Sequence, residues 1–379
     1  MNKALKYTLF AAALFLTANL IIFPAPGIAS AKGAVVLCLD VLIPSLFPFF
    51  ICSGLFVALG AARRCGRLLS PLMRPVFNVQ GSGAAAFVLG IISGYPVGAK
   101  VIADLYKNGE CSKVEGERML AFCNNSGPLF VLGAVGVGLL GSPQLGRILY
   151  AVHVISAVLV GIAFRFYRSE PDIKPTSQDT VQRRQSPINT KMPPRAAAFD
   201  AVGQTVASSV VTMLNVCGFV VLFSVFAGIL PNLGGSLTRP IITALLEICG
   251  GIGAIARVTG VPMHVKLPVI AFVMSFSGAS IILQVSQMLG TTGLSLKPYV
   301  AGKLLHGVLS SLLTWLACLC VPIETPAFRE SSGVLPVITS SPWQMLAGAV
   351  IAALWGVLSL VILSLVAWVL SWFQEWRRS

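Results

Sequence analysis

The residues IISGYPVGAK at 91–100 and LAFCNNSGPLFVLGAVGVG at 120–138 decide the fold of this chain. Both segments are strongly apolar, and both are interrupted by glycine, proline or asparagine. A lipid-exposed helix cannot leave backbone N–H and C=O groups unpaired, so a broken backbone within a membrane is tolerated only where it faces protein or a water-filled cavity. Transporters build their midplane binding sites from discontinuous helices of this kind. The two segments therefore predict a membrane protein with an internal site.

The composition predicts an all-α polytopic membrane protein in a lipid bilayer. Hydrophobic residues make up 56% of the 379 residues, charged residues make up only 11%, and the mean hydropathy is +0.85. The net charge of +14 comes largely from basic residues between the apolar segments, which the positive-inside rule assigns to the cytoplasm. No basic face with interleaved aromatic residues lies outside those loops, which argues against a nucleic-acid partner.

The motifs of common enzymes and metal sites are missing from the sequence. The nine cysteines include no CxxC pair and no cysteine–histidine cluster, so neither a disulfide nor a metal site is expected. HExxH, GxSxG and GxxxxGK[ST] are also absent from the sequence. We therefore predict a protein that is not an enzyme and binds no cofactor. Transport by a chain without a nucleotide-binding domain would be secondary or facilitated.

Segments of about 20 apolar residues predict about eight transmembrane helices. They lie near 6–23, 34–61, 118–140, 146–166, 201–230, 264–290, 298–321 and 343–372. Two further apolar stretches with central glycines, 82–106 and 237–257, fit the charge pattern better as re-entrant hairpins than as full spans, and both termini are then cytoplasmic. The first segment also has features of a cleaved signal peptide, but we interpret it as an uncleaved span.

A polar linker divides the chain into two halves that resemble each other at a nearly constant offset. The matches join Val97-Gly98-Ala99 with Ile252-Gly253-Ala254, Asn125-Ser126-Gly127 with Phe276-Ser277-Gly278, and Ala151-Val152-His153 with Leu304-Leu305-His306. The predicted topology gives the halves opposite orientations, which indicates an inverted repeat. Chance matches between glycine- and serine-rich helices are the alternative.

The predicted division is an N-terminal helix and loop at 1–33, a first repeat at 34–166, a cytoplasmic linker at 167–199, a second repeat at 200–322, and an external loop with a C-terminal helix at 323–379.

Several motifs resemble the sporulation integral membrane protein family known as YlbJ or SpoVV. They are LIPSLFPFF at 42–50, SGYPVGAKVIADLY at 93–106, ERMLAFCNNSGPLFVLGAVGVG at 117–138, LLEICGGIGAI at 245–255 and SFSGASIILQV at 275–285. The resemblance implies Gate-type domains, which resemble concentrative nucleoside transporters. It also implies transport of dipicolinate (pyridine-2,6-dicarboxylate) during endospore formation, by a multi-pass cell-membrane protein of the mother-cell-derived outer forespore membrane.

A small, flat dianion such as dipicolinate needs N–H or hydroxyl donors, positive potential and a stacking wall. A helix that begins after Gly94-Tyr95-Pro96 would direct free N–H groups at a cavity, with Tyr95 as the wall. The predicted substrate-binding residues are Gly94, Tyr95, Pro96, Asn124, Asn125, Ser126, Gly127, Ser275, Ser277 and Gln284. The alternative for each polar residue alone is that it satisfies interrupted backbone or joins helices.

Glu247 is the clearest intramembrane ionisable group, and such groups are functional candidates because burying them is costly. We predict that it binds a proton or cation that travels with the anion. An ion pair with Lys100 or Lys303 is the structural alternative. His153 and His306 are predicted to hydrogen-bond helices to each other rather than to carry protons.

The predicted function is membrane transport of a small anionic solute, with dipicolinate as the first candidate. A nucleoside-like or other small-carboxylate secondary transporter is one alternative. Another is a non-transporting structural membrane protein of the spore envelope, whose polar breaks would close on themselves without a cavity. The predicted partners are the substrate, the lipid bilayer and a coupling proton or cation, and the sequence is compatible with a homo-oligomer.

Overall fold

The structure is a computed structural model that describes residues 3–58, 61–168, 194–229, 236–290 and 292–320. Within these ranges every regular element is a helix. The first half contains α1 (Lys3–Ile22), α2 (Pro24–Leu37), a π-helical turn (Cys38–Leu42), α3 (Ile43–Ala58), α4 (Ala61–Phe77), α5 (Gly83–Ile92), α6 (Val97–Lys107), α7 (Lys113–Cys123), a π-helical segment (Leu129–Leu139) and α8 (Pro143–Phe164). The second half contains α9 (Pro194–Gly228), α10 (Thr238–Leu246), α11 (Ile248–Arg257), α12 (Met263–Phe276), α13 (Gly278–Leu289) and α14 (Lys297–Cys320). The predicted span at 343–372, the external loop before it and most of the linker lie outside the described residues.

Among the described residues, four helical segments are long and apolar enough to cross a membrane. They are Pro143–Phe164, Val202–Gly228, Met263–Leu289 and Lys297–Cys320. A fifth crossing is obtained if Ala13–Ile22 and Pro24–Asp40, which meet at a bend of 108°, count as one span. These helices confirm the prediction of an all-α membrane protein.

The N-terminal region differs from the prediction at residues 24–33, which were expected to form a loop and are helical. Pro24 begins α2, where its missing N–H costs no intrahelical hydrogen bond. The same proline cannot continue α1, because a proline inside a helix removes a hydrogen bond and clashes with the preceding turn. The apolar run is therefore bent at this point rather than interrupted by a loop.

Helix α14 is arranged for contact with lipid on one side and with polar protein on the other. Its exposed face is apolar and includes Leu304, Val308, Leu312, Trp315 and Leu319. Its buried face is polar and includes Tyr299, Lys303, His306, Ser310 and Thr314. This face packs against α12, α7 and α8. Polar residues inside a membrane bundle face its interior when they serve structure or function there.

Four apolar segments are broken by short non-helical stretches with identifiable local causes. Between α5 and α6, Gly94 has a φ of 74°, and between α12 and α13, Ser277 has a φ of 76°, a conformation that ends a helix. After α7, the chain becomes extended at Asn124, with φ −105° and ψ 98°, and the next helical segment begins after Pro128. Between α10 and α11, Glu247 is extended, with φ −143° and ψ 117°.

The breaks fall in the segments where the sequence predicted them. The arms of each predicted hairpin, α5 with α6 and α10 with α11, contact each other, although a re-entrant path through the membrane stays a prediction. The predicted spans 118–140 and 264–290 are interrupted rather than continuous. Both halves present the same order of elements: a broken pair, a broken span and a long helix. The inverted orientation of the halves and the division into domains stay predictions.

Candidate functional site

Within each half, the backbone of one break packs directly against another element. A Cβ atom on Gly94 would lie 2.6 Å from the nitrogen of Gly127, so the first two breaks can touch only through glycine. In the second half, a Cβ atom on Gly278 would lie 3.1 Å from the carbonyl oxygen of Ala244, near the end of α10. At both positions the two backbones come so close that only glycine, which has no side chain, fits between them.

Residues at or close to all four breaks line one central cavity of about 60 Å³. Ser93, Gly94 and Tyr95 line it from the first break, and Ser126, Gly127, Leu129 and Phe130 from the second. Glu247, Ile248 and Cys249 line it from the third, and Ser280, Ile281 and Gln284 from beyond the fourth. Leu46 and Phe50 of α3 and Val216 and Val220 of α9 complete an apolar wall. The cavity thus combines polar groups from both halves with an apolar side, as a small-ligand site requires.

Three hydroxyl groups on the cavity wall are available to a ligand. The side-chain oxygens of Ser93, Tyr95 and Ser126 are buried and make no hydrogen bond of good geometry within the described part of the chain, although the Tyr95 hydroxyl lies near those of Ser126 and Ser277. A buried polar group that is left unsatisfied costs about 1–3 kcal/mol, so buried hydroxyls are normally paired. All three residues line the same cavity, so their hydroxyl groups are candidates for hydrogen bonds to a ligand there.

Glu247 also lines the cavity, and its side chain caps helix α11. Its carboxylate oxygens accept hydrogen bonds from the backbone N–H groups of Cys249, at 2.8 Å, and Gly250, at 2.6 Å. A capping carboxylate satisfies amides that have no partner inside the helix. Among the described residues, neither Lys100 nor Lys303 forms an ion pair with Glu247, so the structural alternative from the sequence is not observed.

Asn124 and Asn125 lie behind the cavity wall and bind other parts of the protein. Asn124 Oδ1 accepts a hydrogen bond of 3.3 Å from the backbone N–H of Ala99, in the first turn of α6. Asn125 Nδ2 donates to the carbonyl oxygen of Phe122 at 2.7 Å, and its Oδ1 accepts from Lys303 Nζ at 3.0 Å. The two amides therefore hold the broken segment against α6 and α14, and their assignment to substrate binding stays a prediction.

Ser275, Ser277 and Pro96 also lie outside the wall of the central cavity. Ser277 Oγ is 3.2 Å from the Tyr299 hydroxyl, which accepts a longer hydrogen bond of 3.4 Å from Asn124 Nδ2. Ser275 Oγ donates to Ser310 Oγ at 2.8 Å. Pro96 faces a neighbouring cavity. Of the predicted binding residues, the structure brings Gly94, Tyr95, Ser126, Gly127 and Gln284 together, with Glu247.

The sequence reasoning missed several polar residues of the site. Ser93 and Ser280 line the cavity directly, and each adjoins or closely follows a glycine that was singled out. Lys303 and Tyr299 are buried on α14 and contact the first-half break. Lys303 was considered only as a partner for Glu247. A polar stripe at helical spacing, running from Tyr299 through Lys303 and His306 to Ser310, was the available signal.

Three cavities follow one another along helix α9. A linker-side cavity of about 610 Å³ is lined by α9 from Thr205 to Asn215. The central cavity comes next, at Val216 and Val220. A distal cavity of about 420 Å³ follows at Ser224 to Gly228. With a helical rise of 1.5 Å per residue this stretch is about 35 Å long, close to the hydrocarbon thickness of a bilayer, about 30 Å.

The outer two cavities carry charged residues. Lys100 and Asp104 line the linker-side cavity. Arg239 and Arg257 line the distal cavity. Two arginines give the distal mouth a positive potential, which favours the approach of anions.

Comparison with known proteins places these features in a wider group. A family model described as Gate, nucleoside recognition, matches residues 39–164, which include the first two breaks and α8. The sporulation integral membrane protein YlbJ of Bacillus subtilis (strain 168) is 33% identical to this chain over 346 residues, which cover 83% of this chain and 84% of the relative. The similarity therefore extends through both halves. No solved structure matches the chain.

Proposed function

Because the chain belongs to the YlbJ family of sporulation integral membrane proteins, we propose that it is a secondary transporter of a small anionic solute, with dipicolinate as its substrate during endospore formation. The observation that carries this proposal is that residues at or close to all four helix breaks line one cavity, together with three side chains that carry buried hydroxyl groups. A structural protein of the spore envelope would be expected to close such breaks on themselves. The resemblance to the family implies dipicolinate and the outer forespore membrane, and we propose both for this chain.

The cavity chemistry suits a flat dicarboxylate. The hydroxyls of Ser93, Tyr95 and Ser126 can donate hydrogen bonds to carboxylate oxygens, and the Gln284 amide adds two donors. The Tyr95 ring and the apolar wall can contact the faces of an aromatic ring. Uncharged donors of this kind bind an anion without a fixed positive charge that would hold it too tightly for release.

The small volume supports a carrier that alternates between two open states. Pockets for drug-sized ligands begin at about 300 Å³, whereas the central cavity holds about 60 Å³. The walls must therefore separate before a substrate enters. Larger cavities lie on both sides of this constriction along α9. We propose that opening toward one or the other gives alternating access and that the path follows α9.

Glu247 is the proposed coupling group inside the cavity. An ionised carboxylate on the wall would repel a dianion, so binding favours a protonated Glu247 or a cation beside it. Either would move with the substrate and use an ion gradient to drive accumulation. The protein then acts without covalent chemistry, and we propose that it is not an enzyme.

The primary test uses the purified protein in liposomes with radiolabelled dipicolinate. Accumulation that depends on an ion gradient is expected. Leak that does not depend on a gradient would indicate a channel. No flux would indicate a structural protein that does not transport. Competition by nucleosides and by other small dicarboxylates tests the substrate assignment, because the matched family model is described by nucleoside recognition. Stronger competition by nucleosides would overturn dipicolinate as the substrate.

The proposed path can be tested by cysteine labelling. Cysteines in place of Thr212, in the linker-side cavity, and Ser224, in the distal cavity, should react with a membrane-impermeant thiosulfonate, each from one side only. Leu214 is 65% exposed on the same helix and lines neither cavity, so a cysteine there should face lipid and stay unlabelled. Mass spectrometry identifies the labelled site. Equal labelling at all three positions would contradict a path along α9.

A further inference from the structure

Lys303 is a buried basic residue whose neighbours are neutral. Its side chain is fully buried on α14. Its Nζ atom donates to Asn125 Oδ1 at 3.0 Å, lies 3.4 Å from His306 Nδ1, and lies 5.2 Å from the centroid of the Tyr95 ring. Among the described residues, no carboxylate forms an ion pair with Lys303. An ammonium group buried within a membrane without an anionic partner is costly, and such groups mark ion and substrate pathways.

The hydrogen bonds around the two histidines define where their protons lie. His306 Nε2 is 2.9 Å from the carbonyl oxygen of His153, so this nitrogen must carry the proton and donate it. His306 Nδ1, which faces Lys303 Nζ, is then an acceptor. His153 Nε2 accepts from the backbone N–H of Ser126 at 3.1 Å, so its Nδ1 donates to Ser275 Oγ at 2.8 Å. Both rings are neutral in this arrangement.

One basic nitrogen of this network therefore has a direct proton-sharing partner. The lone pair of His306 Nδ1 and the amine of Lys303 face each other, and a proton between them can form an N–H bond with either nitrogen. His153 lacks this option, because protonation of its Nε2 would displace the hydrogen bond from Ser126. Both histidines hydrogen-bond to other segments, as the sequence predicted. His306 has in addition a nitrogen that faces Lys303 and can share a proton with it.

We propose that Lys303 and His306 form a proton-binding site that takes up a proton when an anion occupies the central cavity and releases it when the anion leaves. The inference rests on the proposed transport function. The incoming proton forms an N–H bond with Lys303 Nζ or His306 Nδ1, and that bond breaks when the anion departs on the other side. Proton and anion thereby cross together, and no other group is consumed.

Tyr95 connects this site with the cavity. It lines the central cavity, and the centroid of its ring lies 5.2 Å from Lys303 Nζ. A positive charge over an aromatic face is attracted by the ring, and an anion a few ångströms beyond it would add a direct Coulombic attraction. Because linkage is reciprocal, an anion that favours protonation is itself bound more tightly by the protonated site. This is the physical requirement for symport.

Few other titratable side chains lie close enough to Lys303 to exchange a proton with it. The other titratable side chains that face it are His306 and Tyr299 of α14, His153 of α8, Cys123 of α7 and Tyr95 at the first break. Helix α12 contributes the hydroxyl of Ser275 to the network. In this set only the neutral lysine amine and the neutral imidazoles can take up a proton, because phenol and thiol groups are already protonated in their neutral forms. A second proton on Glu247 would make transport of a dianion electroneutral.

The first experiment counts protons taken up on binding. Isothermal titration calorimetry of dipicolinate with the purified full chain is carried out in buffers of different ionisation enthalpy. An arginine stays charged, so K303R is expected to take up about one proton fewer per bound ligand than wild type. K297R, which changes an exposed lysine in the first turn of the same helix, should match wild type. Equal proton uptake by wild type and K303R would overturn the inference.

A second experiment does not need a known substrate. Nitrogen-15 NMR of the protein labelled at lysine Nζ distinguishes an ammonium from a neutral amine. Slow exchange with solvent selects buried lysines, which include Lys303 and Lys266, and the signal that is missing from K303R is that of Lys303. Conversion between the two forms is expected within the pH range in which the protein stays folded, and a permanent ammonium signal across that range would overturn the proton site. If the signal titrates but dipicolinate neither binds nor exchanges, the proposed substrate fails and the proton site stands.

Discussion

His306 Nε2 donates a hydrogen bond to the backbone carbonyl oxygen of His153 at 2.9 Å, and the centroids of the two rings are 4.5 Å apart. The two residues belong to α8 and α14, the long helices that end the two halves of the chain. They occupy the positions that the sequence comparison matched. The contact places the two halves against each other beside the four breaks, so movement of one half relative to the other must act on this pair.

The contact between Asn125 and Lys303 is expected to be essential for folding and transport. Asn125→Leu removes the oxygen that accepts from Lys303 Nζ and the amide that donates to the Phe122 carbonyl, and each lost hydrogen bond costs about 0.5–1.5 kcal/mol. We expect a lower melting temperature in detergent and loss of dipicolinate flux. Asn125→Asp should recover only part of the stability, because it can pair with Lys303 but cannot donate to Phe122, and it should still impair transport because it would hold Lys303 in its charged form. Asn108→Leu, at an exposed position, is the control. Wild-type flux in Asn125→Leu would exclude a role for the contact.

The three hydroxyl groups on the cavity wall should contribute to binding and not to stability. Ser93→Ala, Ser126→Ala and Tyr95→Phe each remove a buried oxygen without a partner in the described structure, so the free energy of unfolding should change little. Loss of a ligand hydrogen bond of about 0.5–1.5 kcal/mol should weaken dipicolinate binding about two- to twelvefold. Calorimetry measures the affinity.

Ser156→Ala is the matched control for these hydroxyl deletions. Ser156 Oγ on α8 is also buried and without a partner among the described residues, but it does not line the central cavity. Its removal should leave the affinity unchanged. A similar loss of affinity in Ser156→Ala and Ser126→Ala would show that the effect is not local to the cavity.

Glu247→Gln should change how transport depends on pH. The amide cannot exchange a proton, so a component of the pH profile that comes from Glu247 should disappear. The amide oxygen can still accept one of the two N–H groups at the start of α11, which should limit the cost in stability to about 1 kcal/mol. Initial rates of uptake into liposomes across a pH series provide the measurement, and Glu110→Gln, at an exposed loop position, is the control. An unchanged profile would reduce Glu247 to a helix cap.

Gly90→Ala should destabilise the packing of the first two broken segments. A Cβ atom on Gly90 would overlap the backbone carbonyl group of Cys123, which is too rigid to move aside. Overpacking of this kind costs about 1–3 kcal/mol, and we expect a lower melting temperature. Gly218→Ala on α9 is the contrast, because no atom of the described residues outside its own helix backbone lies within 4 Å of the added Cβ. That variant should gain up to about 1 kcal/mol, and equal effects of the two would refute the role of close packing.

Much of the fold could be predicted because bilayer insertion leaves few alternatives. Apolar length and the need to satisfy backbone groups made helices the only elements compatible with most of the chain. The same constraint made Gly94, Asn124 and Ser277 conspicuous, since a break is visible wherever a helix-terminating residue interrupts an apolar run. The count of spans was less predictable, because 24–33 continues as helix and two predicted spans are discontinuous.

The candidate site was predictable by segment but not by side chain. Asn125 and Ser275 have the chemistry of ligand donors, yet each is bound to another helix. Ser93 and Ser280 are ordinary residues in sequence and become part of the site only because of the direction in which the backbone turns. Local sequence cannot distinguish these cases, because the partner of a polar side chain lies more than a hundred residues away in examples such as Asn125 with Lys303.

The sequence by itself determined that the chain is helical, lies in a membrane and breaks at paired places, because hydrophobicity and backbone hydrogen bonding act locally. Only the tertiary structure decided that the four breaks share one cavity, that Glu247 caps a helix instead of pairing with a lysine, and that Lys303 is buried beside His306. Those outcomes depend on long-range packing, in which glycine contacts such as Gly94 with Gly127 set how closely two segments approach.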